Sequence, residues 1–232
     1  MTDEAVLGEQ LEYYRARAYE YDKWWLREGR FDRGTEANAR WFAETTELER
    51  VLERFDPRGD VLELACGTGL WTRELVRYAT TVTAVDAAPE VLAINRARVG
   101  DAAVRYVEAD LFGWTPEPRA FDVCVFTFWL SHVPQDRFAA FWERVAGALR
   151  PGGRAFFIDS ARTETSTASD HRLPEEGEAT MTRRLDDGRA FQIIKRFYDP
   201  DRLTEELAQL GWECQMGTTG EFFIYGTATA RP

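Results

Sequence analysis

The stretch Val61-Leu62-Glu63-Leu64-Ala65-Cys66-Gly67-Thr68-Gly69-Leu70-Trp71-Thr72 decides the fold. Val61 to Leu64 is a short apolar run bounded by a turn, the pattern of a buried strand. Cys66-Gly67-Thr68-Gly69 is a tight glycine-rich turn, and a helical pattern follows from Leu70 to Arg77. Strand, glycine turn and helix together form the ligand-binding corner of a doubly wound α/β sheet. Gly67 and Gly69 let the backbone turn sharply and approach a ligand with no Cβ in the way. The next strand, Thr81 to Val85, closes on Asp86. Asp86 falls about 20 residues beyond Gly67, where an acid reaches a ribose hydroxyl. A third acid, Asp110, follows the run Val104 to Val107. The dinucleotide fingerprint would place its third glycine at Thr72, so a ligand without a diphosphate suits this turn better.

Working outward toward the N-terminus, residues 3–28 read as a helical arm. Tyr14, Ala18, Tyr21 and Trp25 recur at helical spacing, as a face packed on the sheet or as a lid. Gly29 to Gly34 is a loop, and Thr35 is placed to cap a helix carrying Trp41, Leu48, Leu52 and Phe55 on one face. Toward the C-terminus, Pro89 opens a helix through Arg98. Arg105 to Ala109 is a third strand. Phe121 to Phe128 is nearly all apolar, as a central parallel strand requires. It leads into Trp129-Leu130-Ser131-His132-Val133-Pro134. A helix over Arg137 to Leu149, a turn at Arg150-Pro151-Gly152-Gly153 and a strand over Arg154 to Ile158 follow. Thr163 to Glu178 is a polar loop in which His171 reads as a solvated side chain. Ala179 to Leu185 and Arg189 to Tyr198 flank Asp186-Asp187-Gly188 as a hairpin. A helix over Asp201 to Leu210 precedes two further strands, Gly211 to Met216 and Glu221 to Thr229.

Composition sets the bounds. The 232 residues suffice for a full core, and 44% of them are hydrophobic. The net charge of −11 opposes nonspecific binding to nucleic acid or an anionic membrane. Cys66, Cys124 and Cys214 are widely spaced, as reduced thiols in a cytoplasmic protein rather than a disulfide or zinc framework. Asp3 and Glu4 stand where a signal peptide would be basic and apolar, and no run approaches the ~18 apolar residues of a membrane span. The simplest organisation is one domain over 1–232. Within it we expect a helical lid (1–56), a ligand-binding core (57–160), a loop and hairpin cap (161–198) and a C-terminal helix with a strand pair (199–232).

Several of these pieces carry a resemblance. The acid-x-x-x-Gly-x-Gly run from Glu63 to Gly69, the later Asp86 and Asp110, and the Leu149-Arg150-Pro151-Gly152-Gly153 step resemble class I S-adenosylmethionine (SAM)-dependent methyltransferases. The resemblance implies a Rossmann-like, doubly wound, mostly parallel sheet of seven strands with an antiparallel last strand. To this the present chain adds an N-terminal helical lid and a β-hairpin cap. It implies SAM as cofactor, with Glu63, Ala65, Gly67, Thr68, Gly69, Trp71, Asp86, Ala87, Asp110, Leu111, Phe112 and Phe126 around it. Tyr14-x-x-Arg17-Ala18-x-x-Tyr21-Asp22 resembles the segment that folds over the cofactor in small-molecule methyltransferases. There Arg17 is placed to pair with the methionine carboxylate, and Tyr14 or Tyr21 to close the pocket.

Methyl transfer to a hydroxyl needs an oriented acceptor and a proton sink. His132 lies on the acceptor side of the fourth strand and is the candidate general base, with Asp22 as its orienting partner. Tyr21, Trp25, Trp129, Arg183 and Lys195 are candidate acceptor residues. Tyr13 to Ala18, Gly59 to Ala65, Trp129 to Pro134 and the Arg183 to Lys195 hairpin resemble phosphonate O-methyltransferases of the dehydrophos pathway, in which hairpin cations hold the phosphonate. The chain also resembles the sugar 1-O-methyltransferases that block the reducing end of short methylated mannosides, in which a histidine serves as base. The aromatic-rich Trp24 to Asp32 favours a sugar hydroxyl, with a phosphonate or other anionic metabolite as the alternative. A different class, a cofactor-binding protein that transfers no methyl, lacks the positioned base. No metal site is legible, though an accessory magnesium ion is compatible with the sequence. The expected partner is a small-molecule acceptor, not nucleic acid or membrane, bound by a monomer or homodimer in the cytoplasm.

Overall fold

The computed structural model describes residues 3–100, 103–175 and 177–231. Its strands are β1 (Asp60–Leu64), β2 (Thr81–Asp86), β3 (Val104–Glu108), β4 (Phe121–Thr127), β5 (Leu149–Ser160), β6 (Thr180–Arg184), β7 (Ala190–Ile194), β8 (Trp212–Thr218) and β9 (Phe223–Ala230). Its helices are α1 (Asp3–Arg17), α2 (Tyr21–Leu26), α3 (Thr35–Phe55), α4 (Thr72–Leu75), α5 (Pro89–Val99), α6 (Gln135–Ala148) and α7 (Pro200–Gln209). Seven strands form one sheet in the order β3-β2-β1-β4-β5-β9-β8, and β6 and β7 form a separate two-stranded sheet. β1, β2, β3, β4 and β5 run parallel, while β9 lies antiparallel to both β5 and β8.

Both faces of the sheet are covered, which is why β1 and β4 are apolar almost throughout. Side chains alternate between the faces. Val61, Val123, Val125 and Phe156 pack with Trp41, Leu48, Leu52 and Phe55 of α3. Leu62, Leu64, Cys124 and Phe126 pack on the opposite face with Phe141 and Trp142 of α6 and Leu203 and Leu207 of α7. Trp41 and Trp142 are fully buried. Each such side chain contributes about 1.5–3 kcal/mol of hydrophobic stabilisation. From β1 the chain steps one way, to β2 and β3, then returns to place β4 on the other side of β1. The carboxyl ends of β1 and β4 are therefore the switch point of the sheet, where doubly wound folds bind ligands.

Three expectations are corrected. The arm over residues 3–28 is two helices, because the chain turns at 18–20 after α1. The single face through Tyr14, Ala18, Tyr21 and Trp25 is thereby broken. Thr35 is the first residue of α3 rather than its cap. Asp32 Oδ1 accepts from Gly34 N at 2.8 Å and from Asn38 Nδ2 at 2.7 Å to hold that entry. The helix after the glycine turn is only the four residues of α4. The hairpin forms around Asp186-Asp187-Gly188 with Arg183 opposite Phe191. A two-stranded ribbon is marginal by itself. Here α1 covers its edge, with Glu9 Oε1 accepting from Gln192 N (2.7 Å) and Gln10 Oε1 accepting from Ile194 N (3.0 Å). Among the described residues no helix is long and apolar enough to cross a membrane.

Candidate active site

The switch point is built under backbone strain. Ala65, just past β1, has φ 52°, and Phe128, just past β4, has φ 56°. A left-handed conformation costs a residue with a Cβ about 1–2 kcal/mol. Ala65→Gly is accordingly expected to stabilise the fold by up to ~1 kcal/mol, after the entropy glycine recovers on unfolding, in a urea melt. Between these two residues opens a cavity of about 250 Å³. Tyr14, Ala65, Gly67, Asp86, Ala87, Asp110, Leu111 and Phe112 all line it, as the sequence predicts for the cofactor.

The cavity suits SAM on several counts. Gly67 has φ 52°, and a Cβ built there would meet nothing within 4 Å, so a ligand has room to approach the backbone. Asp86 accepts from Gly67 N and Ala88 N, each at 3.0 Å, which fixes its carboxylate at the end of β2. Burial nevertheless pushes its carboxyl up, against those two N–H groups. Asp110 accepts from Phe112 N at 3.0 Å and stays exposed at the rim.

Four predicted cofactor residues lie behind that lining. Glu63 is buried under the turn and accepts from the Thr72 hydroxyl at 2.6 Å. Burial, with Asp86 nearby, pushes its carboxyl up to about 8. Gly69 abuts Asn95, whose Oδ1 would lie 2.6 Å from a Cβ there. Trp71 and Phe126 are core residues on opposite faces of the sheet. Thr68 and Asp22 form a separate link. The Thr68 hydroxyl donates to Asp22 Oδ1 at 2.7 Å, and Arg98 donates to Asp22 Oδ2. Asp22 therefore fastens α2 to the glycine turn and α5. This corrects its expected place beside His132.

A second, smaller cavity of about 40 Å³ adjoins the first and shares Tyr14, Tyr21, Phe128 and His132 with it. Arg17, Arg183 and Lys195 line it. Arg17, the last residue of α1, thus lines the smaller cavity and not the larger one. Its guanidinium, 7% exposed, lies 4.6 Å from the Tyr21 ring centroid. It makes no hydrogen bond or ion pair with a described residue, and its Nε is buried without a partner, as is Arg183 Nε. Arg183 donates to Thr167 Oγ1. Lys195 Nζ donates to Ser131 Oγ at 2.8 Å and to Asp159 Oδ1 at 3.4 Å. Burial and mutual repulsion lower the pKa of both Lys195 and Arg183. Three cations thus face a small buried space holding one nearby carboxylate, Asp159. Trp25 is not there, which corrects its expected role. It packs against Trp24, Trp41, Trp71 and Phe128, and Trp24 lines the small cavity instead. Trp129 lines the larger cavity, its ring centroid 5.4 Å from that of Phe112.

His132 is held at both ring nitrogens. Nδ1 lies 2.6 Å from the Ile194 carbonyl, which only accepts, so Nδ1 carries the proton. Nε2 then accepts from the Tyr14 hydroxyl at 2.7 Å. Burial and the Lys195 charge hold this imidazole neutral well below its ordinary range. Burial likewise pushes the Tyr14 phenol well above its own. His171 is a further correction, since it is buried. Its Nε2 accepts from Arg184 N at 2.9 Å, and burial with the nearby Arg183 lowers it to about 3.

The sequence reading missed Leu7, Leu11, Thr127, Phe128 and Arg137 in the larger cavity and Thr167 and Leu173 in the smaller one. Leu7, Leu11 and Tyr14 recur at i, i+4 and i+7, the periodicity that would have found that face of α1. No groups of three or more His, Cys, Asp or Glu placed for a metal ion occur among the described residues.

The family described as "Methyltransferase domain" matches residues 61–153. A solved DhpI–SAH complex is 39% identical over 100% of both chains, with a TM-score of 0.78. A DhpI–SAM–HEP complex is 40% identical, covering 99% of this chain and 100% of that one, with a TM-score of 0.79. Among curated proteins, the ubiquinone biosynthesis O-methyltransferase of Xanthomonas axonopodis pv. citri is 31% identical over 125 residues, 52% of each chain. The chain spans about half the length of the curated relatives it matches.

Proposed function

This chain belongs to the class I SAM-dependent methyltransferases, and on that premise we propose that it methylates an anionic oxygen of a small acceptor, of the phosphonate type, seated between Arg17, Arg183 and Lys195. SAM, its cofactor, supplies a methyl group already activated on a sulfonium. One observation carries the acceptor reading. Three buried or half-buried cations line a pocket beside the cofactor cavity, and among the described residues only Lys195 has a carboxylate, Asp159 at 3.4 Å, within ion-pair reach, in a protein whose net charge is −11. Uncompensated buried charge is costly, and a bound anion offsets it. Arginine forks suit phosphoryl oxygens bidentately. That the similar DhpI has been solved with SAM and a further ligand, HEP, supports a separate acceptor pocket.

The chain's own residues divide the work as follows. Asp86 and Asp110 hold hydroxyl and amine groups of the cofactor, and Leu111 and Phe112 flank its ring. Arg17, Arg183 and Lys195 orient the acceptor. Tyr14, Tyr21 and Phe128 line both cavities and so border the point of transfer. An anionic oxygen brings no proton, so His132 has none to take. Its role is to fix the Tyr14 hydroxyl at that border.

A second reading keeps the mannoside hydroxyl, and the Tyr14–His132 hydrogen bond favours it. The Tyr14 proton already points at Nε2, so Tyr14 can pass an acceptor's proton to His132. Formation of S-adenosylhomocysteine (SAH) against alkyl phosphonates and short mannosides with free reducing ends separates the two readings, and separates both from a protein that only binds cofactor. On a phosphonate, His132→Gln is expected to retain turnover within about 10-fold, whereas loss of a general base costs ~10²–10⁴. The larger loss, measured on a mannoside, would establish the hydroxyl reading instead. For the cofactor side, Asp86→Ala is expected to weaken SAH binding by ~1.5–3 kcal/mol, the worth of hydrogen bonds to a charged group, by calorimetry.

A further inference from the structure

The small cavity has room for little beyond one anionic headgroup. Its ~40 Å³ of space open to the centre of a water-sized sphere compares with the ~10–15 Å³ that one water needs on that measure, so it holds a few waters or one small headgroup. The cofactor cavity lies on one side of it. On another, Leu173 is the one residue common to it and to a third cavity, of about 560 Å³. That third cavity is lined by Arg33, Arg162 and Arg172 together with Glu164 as the one acid, and by His171.

These arginines differ in how far they are used. Arg33 is committed to the backbone, donating to the carbonyls of Glu164, Thr167 and Ala168. Arg162 donates to the Pro174 carbonyl at 2.8 Å and lies 5.6 Å from the centroid of Phe197, a residue that lines the small cavity. Arg172 is exposed and makes no hydrogen bond or ion pair with any described residue. His171 stands in the wall and is neutral, so it adds no charge. Among the described residues of this lining, three arginines stand against one glutamate.

We propose that this third cavity is a second anion subsite, and that the acceptor is a dianion whose non-reacting end extends past Leu173 to Arg162 and Arg172. The inference rests on the anionic acceptor proposed above. It assigns a specificity role to Arg172 of the 163–178 loop and to Arg162 just before it, both outside the methyl-transfer pocket. Two charges on one molecule engage the two clusters together, so the second contact is intramolecular and raises affinity beyond either alone.

Calorimetry on the SAH-loaded protein tests this with methylphosphonate, ethane-1,2-diphosphonate and propane-1,3-diphosphonate. The expected result is that one diphosphonate binds about tenfold or more tightly than methylphosphonate. Arg172→Ala and Arg162→Ala should each remove most of that gain. Arg172 is exposed and unbonded, so its variant tests binding with no threat to folding. If methylphosphonate binds and neither diphosphonate binds more tightly, the second subsite is overturned while the anionic acceptor pocket stands. If the gain survives in both variants, the second anion sits elsewhere and the assignment is overturned. If no phosphonate binds the wild-type protein, the anionic acceptor reading falls and takes this subsite with it.

Discussion

Arg17→Met is expected to lower kcat/KM for a phosphonate acceptor by about 10²–10³, within the 2–5 kcal/mol lost when one partner of a buried charge pair is truncated. SAH affinity should stay within about twofold, as for a residue that does not touch that ligand. The expectation follows from where α1 ends. Arg17 is 7% exposed, stacked near Tyr21, and its guanidinium meets no described acceptor. A buried cation without a partner carries a standing desolvation cost that an arriving anion relieves. Methionine keeps the apolar stem that packs on the aromatic rings, so the substitution removes charge with little loss of packing. Steady-state kinetics beside SAH calorimetry gives a clear division. A fall in SAH affinity with unchanged acceptor KM would return Arg17 to the cofactor carboxylate.

Lys195→Met is expected to cost stability as well as acceptor binding. Lys195 is 4% exposed, and its Nζ is 3.4 Å from Asp159, which is 1% exposed. Asp159 also accepts from Ser131 N and Ser160 N, each at 2.8 Å, and these bonds persist without the lysine. The carboxylate would still be left as an unpaired buried charge, a loss of about 3–5 kcal/mol. At ~2–4 °C per kcal/mol for a chain of this size, Tm should fall by roughly 6–20 °C. Adding Asp159→Asn removes the stranded charge and should recover much of that fall without restoring acceptor binding. Equal stability of the single and double variants would mean the lysine is not what neutralises Asp159.

Much of the lining of the larger cavity was legible from sequence, because its signals are local. A left-handed turn selects Gly67, a buried parallel strand selects the apolar run before it, and an acid at the end of the neighbouring strand follows at a fixed distance. Where that reading went too far, it took proximity in sequence for contact. Glu63, Gly69 and Trp71 belong to the motif stretch yet sit behind the cavity, Glu63 on Thr72, Gly69 against Asn95 and Trp71 in the core, while Phe126 of β4 is likewise a core residue. The acceptor half was legible only in part. Arg183 and Lys195 were found through the hairpin signal, but Arg17, expected at the larger cavity, lines the smaller one, and Asp22 was given to the wrong partner. Both placements follow from the turn at 18–20, which breaks an apparently continuous helical face. His171 was taken as solvated because its neighbours are polar. It is buried because β6 of the hairpin, beginning nine residues on, folds back over it, with Arg184 N donating to its Nε2.

By itself, then, the amino-acid sequence determined the sheet, its glycine turn and the acids that line the cavity beside it, since periodicity and backbone sterics act over a few tens of residues. Only the tertiary structure decided that Arg17, Arg183 and Lys195 converge on one small cavity beside it. That convergence depends on where one helix stops, on side chains of α1 pairing with the edge of β7, and on which carboxylate reaches which cation first. These are long-range packing outcomes, and no local pattern of residues encodes a net positive pocket in a chain whose net charge is −11.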